Sequence, residues 1–135
     1  MTHFSKRIQK GILAATTAEG ERAEIRAILD QLDLAVQSAT FGNARLYVGE
    51  FHNAEDEKAM RIADLEERLV IRSTGDERQG RIIAGWDTSV DGGYPVSLVH
   101  NFMSLPCENG DQLIEELGQL METARVGRAI QQFAT

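Results

Sequence analysis

The sequence predicts an α+β fold: an antiparallel sheet of about four strands, packed against a long helix in the N-terminal half and a C-terminal helix. Three observations predict it. The run "ERAEIRAILDQLDLAVQSAT" places Ile25, Ile28, Leu29, Leu32, Val36 and Ala39 on one helical face. The stretches "ARLYVGEF", "RLVIRS" and "RIIAGW" are rich in strand formers. Near the C-terminus, Leu113, Leu117, Leu120, Met121 and Ala124 return to helical spacing. At 135 residues and 42% hydrophobic composition, residues 1–135 read as one domain able to close its own core.

In chain order, Phe4, Ile8 and Ile12 mark one side of a short first helix, with Lys6, Arg7 and Lys10 elsewhere on it. Thr16 and Glu19 have capping-box spacing, so a second, longer helix is expected to start there and to end at Gly42. "ARLYVGEF" is a strand. Asn53 suits an N-cap, and Glu55, Asp56 and Glu57 suit the positive end of a helix dipole. The pairs Glu57–Arg61 and Asp64–Arg68 support a helix over 54–67. "RLVIRS" and "RIIAGW" follow as strands joined by the loop "TGDERQG". Asp91-Gly92-Gly93 then turns the chain into a strand carrying Tyr94, Val96 and Leu98. Pro95 lacks an N–H, so that strand starts there or lies at a sheet edge, and Pro106 is expected to end it. Asn109 and Gln112 have capping-box spacing for the final helix, with Arg125 and Arg128 near its end and Gly127 a possible division.

The formal net charge is −7. From Ile82 to Ala124 there is no lysine or arginine, yet Asp87, Asp91, Glu108, Asp111, Glu115, Glu116 and Glu122 all fall there. Such a window argues against direct nucleic-acid binding, which needs basic residues against phosphate. It permits a protein partner with a basic surface. One cysteine excludes an intrachain disulfide and fits a reducing, cytoplasmic setting. No apolar run approaches the roughly 18 residues of a membrane span. The first 18 residues are basic, but "GILAA" is shorter than the roughly 7–15 residues of a signal core, so they read as a basic helix.

The motifs for catalysis or cofactors do not assemble. "GDERQGRI" resembles a phosphate loop, but Arg81 and Ile82 replace its lysine and hydroxyl, and a strand follows where a helix is required. Glu50, His52, His100 and Cys107 have no recognised zinc spacing. Cys107 precedes a helix, but its acidic neighbours Glu108 and Asp111 disfavour a thiolate, so an inert thiol is expected. Carboxylate pairs such as Glu66-Glu67 and Glu115-Glu116 point in different directions on a helix. No cofactor or metal is therefore implied.

What remains is a set of aromatics among acids. Trp86 and Tyr94 bracket a turn containing Asp87 and Asp91, an arrangement suited to anchoring a basic partner, although the single tryptophan also suits the core. The sequence thus points to a non-enzymatic, acidic protein-binding module that occludes or regulates a partner. Its contact residues are Trp86, Asp87, Asp91, Tyr94, Glu108, Asp111, Glu115 and Glu116. The alternative is a small-ligand pocket between sheet and helices, using Tyr47, His52, Trp86 or His100. A homodimer is possible, with the basic first helix crossing to the acidic region of a second copy.

Overall fold

The computed structural model describes residues 3–62, 66–100 and 103–135. Among them are α1 (Phe4–Ala39), β1 (Ala44–Gly49), α2 (Ala54–Met60), β2 (Arg68–Ser73), β3 (Gly80–Asp87), β4 (Val96–His100), β5 (Met103–Cys107), α3 (Gly110–Met121) and α4 (Ala124–Ala134). The strands form one antiparallel sheet in the order β1-β2-β3-β4-β5, each beside its sequence neighbour. The α+β class stands, with five strands where about four were expected.

The two sheet faces have different covers. Helices α1, α3 and α4 bring Ile25, Val36, Leu113, Leu117, Leu120, Val126 and Phe133 against Leu69, Ile71, Trp86, Val96 and Leu98. On the other face Phe51, Met60 and Ile62 pack on Val70 and Ile82. Alternation along β2 explains the split, since Leu69 and Ile71 point one way and Val70 the other. The register shifts at Leu69/Val70, so Ile83 is the extra residue of a β-bulge and joins Ala84 and Trp86 in the larger core. Arg125 of α4 satisfies the carbonyls there, donating to Ile82 O at 3.0 Å and also to Ile83 O.

Several expectations change. The two N-terminal helices are one helix of 36 residues, about 54 Å long at 1.5 Å per residue. Thr16 does not cap a new helix: its hydroxyl donates back to Ile12 O at 3.0 Å, a bond that the helix interior tolerates. The helix ends at Ala39 as expected, with Gly42 at φ 79° and its N–H donating to Gln37 O. Helix α2 stops at Met60, not Glu67, because Arg61 takes the left-handed conformation at φ 51°. Glu67 instead presents its carbonyl to the Trp86 N–H. Asp64, half of one expected ion pair, lies outside the described residues. For Pro95 the first of the two expectations holds: β4 starts directly after it, and the strand is interior, not an edge. Pro106 does not end that strand; it sits within β5, a true edge, where a missing N–H can face outward. The last helix divides at Thr123, four residues before Gly127.

Candidate functional site

Three segments distant in sequence meet around Tyr94. Helix α1 supplies Glu21 and Glu24, the β3–β4 loop supplies Asp91 to Tyr94, and α3 supplies its N-terminal turn. The Tyr94 N–H donates to Glu21 Oε2 at 2.9 Å, and its phenol donates to Glu24 Oε1 at 2.5 Å. Burial and then the hydrogen bond to Glu24 raise the Tyr94 hydroxyl above its ordinary value, so it remains a proton donor at all physiological pH. Glycine at 93 and at 110 permits this approach. A Cβ at Gly93 would collide with the Glu21 carboxylate, and one at Gly110 with that of Glu24. Arg22 donates to the Asp91 carbonyl, holding the loop against α1. Between them lies an open cleft of about 450 Å³, lined by Lys10, Leu13, Thr17, Glu21, Asp91 and Tyr94.

The N-terminus of α3 is built as its sequence implies. Asn109 accepts from the Gln112 N–H at 2.9 Å, and the Gln112 side chain reaches back to accept from the Glu108 N–H at 2.7 Å. Glu108 and Asp111 are both exposed, and Asp111 lies beside Gly110 and Glu24. Glu115 is exposed one turn further along α3.

The remaining candidates separate. Trp86 is 4% exposed and belongs to the larger core, so its side chain offers a partner no surface. Its neighbour Asp87 points to the opposite sheet face, across from Ser97. Glu116 is half-buried and acts on His100 and Cys107. Asp91, Glu108 and Asp111 thus share one side with Tyr94, while Asp87 does not. Sequence reasoning missed Glu21 and Glu24. Their signal was their spacing, since they border the stripe of Ile25 and Ile28 on the helix that had to pack against the sheet.

The ion pairs of the described residues all lie away from this surface. Asp33, Asp56, Glu57 and Asp76 each pair with an arginine. Among the described residues, no ion pair includes Asp87, Asp91, Glu108, Asp111, Glu115, Glu116 or Glu122.

The groups weighed for metal or thiol chemistry lie on different elements. His52 is exposed in the β1–α2 loop, 3.3 Å from Glu50 and 3.2 Å from Glu57. His100 is on β4, its imidazole pKa lowered by burial and by Arg125. Cys107 is buried on β5, its thiol pushed up by burial and then by Glu116 and Glu108. Among the described residues no three His, Cys, Asp or Glu side chains gather to hold a metal ion. No helix of the described residues is long and apolar enough to cross a membrane. The main clefts open to solvent, and none is lined by Tyr47, His52, Trp86 or His100. Tyr47 is instead covered by the Arg72 guanidinium, 3.8 Å from its ring centre. The chain matches no protein-family model, and comparison with curated proteins and with solved structures finds no similar protein.

Proposed function

We propose that this protein is a non-enzymatic binding module that docks a basic protein surface on the acidic side formed by α1, the β3–β4 loop and the start of α3, thereby occluding or regulating that partner. One observation supports the reading: the carboxylates of Asp91, Glu108, Asp111 and Glu115 are exposed, and none of them is in an ion pair among the described residues. Unpaired surface charge of one sign steers an oppositely charged partner and fixes its orientation. Contact area comes from Ile114, 53% exposed, and Val90, fully exposed at the loop tip.

The test is recovery of bound proteins from a native lysate with the wild type and with Asp91→Asn, Asp111→Asn and Glu115→Gln combined. A specific basic partner retained by the wild type, released by salt and lost with the triple variant, supports the reading. A partner held equally by both proteins and indifferent to ionic strength defeats it.

A further inference from the structure

Helices α1 and α3 run side by side over the larger core without closing on each other. Between them lies an apolar groove of about 250 Å³, lined mainly by Ile28, Leu32, Ala35, Ile114, Leu117 and Met121. Toward the start of α3 it continues past Ile28 and Ile114 to Glu24, Gly110 and Asp111, so the two helices point the same way. Ile28, Leu32 and Met121 are only partly buried against the core, Ala35 is exposed, and Ile114 is 53% exposed. The wall is cut away at Gly118, where a Cβ would meet nothing within 4 Å. A glycine inside a helix weakens it, and here it leaves the groove open to a close neighbour.

The rim of this groove is acidic. On α3, Asp111, Glu115 and the C-cap residue Glu122 recur at helical spacing. They form a row beside Ile114 and Met121, on the side away from the buried Leu113 and Leu120. All three are exposed, and none is in an ion pair among the described residues. The segments that form the two walls, Ile28 to Ala35 and Asp111 to Met121, contain no lysine or arginine. The groove therefore brings no cation of its own.

We propose, resting on the binding reading above, that this groove receives a basic amphipathic helix of the partner protein. Its apolar face lies on Ile28, Leu32 and Ile114, and its lysines or arginines meet Asp111, Glu115 and Glu122. Geometry selects a helix. The backbone groups of α1 and α3 are bonded within each helix, so the walls offer no ladder to an extended strand. An occupant of the apolar floor must satisfy its own backbone. Ile28 to Ala35 and Ile114 to Met121 each span about two turns, which matches anchors at i, i+3 or i+4, and i+7 of the partner helix. Charge selects a basic protein. An anionic membrane surface is repelled by the same carboxylates. The basic start of α1 does not serve, because Phe4, Ile8 and Ile12 lie on the side of that helix opposite Ile28, Leu32 and Ala35. Two copies paired along α1 thus cannot seat one in the other.

Fluorescence anisotropy of the full chain with labelled synthetic peptides tests this. The probe is a peptide of leucine and lysine alone, about four turns long, with its leucines on one helical face. One control has glutamate for every lysine, and another has the same composition in an order that forms no apolar face. The probe is expected to bind, to become helical on binding, and to weaken as salt is added. Both controls are expected to bind at least tenfold more weakly. Gly118→Phe fills the groove without changing charge, and Ile114→Asp removes its exposed wall while keeping every carboxylate. Each is expected to weaken the probe at least tenfold with the far-ultraviolet signal of the free protein unchanged, and the second stands in should the first fail to fold. A wild type that binds no probe overturns the groove, as does equal binding of the scrambled peptide or of both groove variants. If Glu115→Gln combined with Glu122→Gln still releases the probe from those variants, the acidic side stands although the groove does not. Binding indifferent to salt and to that rim variant defeats the acidic side itself. A wild-type dimer that Gly118→Phe converts to monomer, seen by sedimentation equilibrium, would overturn the proposal by assigning the groove to a second copy.

Discussion

Arg68 places a guanidinium where few proteins tolerate a charge. It is 2% exposed, yet it donates to Phe51 O at 2.5 Å, Glu57 Oε1 at 2.7 Å and Ile62 O at 3.2 Å. One side chain therefore ties β2 to the loops on both ends of α2, a helix of only seven residues. Arg68→Ala would leave the Phe51 and Ile62 carbonyls and the Glu57 carboxylate without this donor. Breaking a buried charge pair costs about 3–5 kcal/mol, and urea denaturation should show a loss of that order. Asp33 makes the equivalent link for α1, accepting from the Leu46 N–H and from Arg45, both at 2.8 Å. Burial alone would raise its carboxyl, but Arg45, the Leu46 N–H and Gln37 outweigh burial and hold it below the ordinary value. A carboxyl lowered by folding contributes stability above its unfolded pKa, and that contribution is lost as pH falls through its folded pKa. Asp33→Asn should therefore cost about 1–2 kcal/mol near neutrality. The gap between the two proteins should shrink once pH drops below the ordinary carboxylate value, a trend that denaturation at stepped pH would follow. Neither role was legible in sequence. Arg68 reads both as a helix partner for Asp64 and as the first residue of the strand "RLVIRS", and nothing local reveals that this position is buried.

At the scale of elements, the legible features were those whose signal is local. The Ile25–Val36 stripe, the strand formers of β1 to β3, the Asn53 cap and the reciprocal Asn109–Gln112 cap all appear where their chemistry placed them. Errors arose where a local signal had two readings. Thr16 can open a helix or bond within one, and the continuous chain of helical residues around it decides for the second. Proline can end a strand or occupy an edge, and Pro106 could be assigned only once β5 was seen to have a single neighbour. The division of the C-terminal helices is a third case, and it makes a prediction. Thr123 accepts from the Val126 N–H at 3.4 Å and caps α4, so Thr123→Ala should cost about 1 kcal/mol. Gly127 lies inside α4, and a Cβ there would meet nothing within 4 Å. Gly127→Ala should then stabilise by about 0.5–1 kcal/mol. A glycine that divided two elements would give the opposite sign, so a matched pair of denaturation curves separates the readings.

At the scale of the whole molecule, the candidate site was half legible. Composition located the acids, and the fold decided which of them share a side. Strand alternation sent Asp87 to the far face, and burial took Trp86 into the core, while α1 added Glu21 and Glu24. No periodicity argument could have combined these, since the positions span about 90 residues of sequence and meet only through tertiary packing. The same charge separation bears on stability. If the basic arm formed by residues 3–17 of one copy sits on the acidic side of another, as the sequence allows, association favours the folded state by mass action. The thermal midpoint of the wild type should then rise with protein concentration. A chain lacking residues 1–18 removes no buried side chain among residues 3–17, so its body should still unfold cooperatively. Its midpoint should no longer depend on concentration. Added salt should lower the wild-type midpoint toward that of the shortened chain, because exposed charge pairs between copies are screened over about 8 Å at physiological ionic strength and over less above it. Midpoints that ignore concentration in both chains would mean that the arm contributes nothing to the fold's stability in solution.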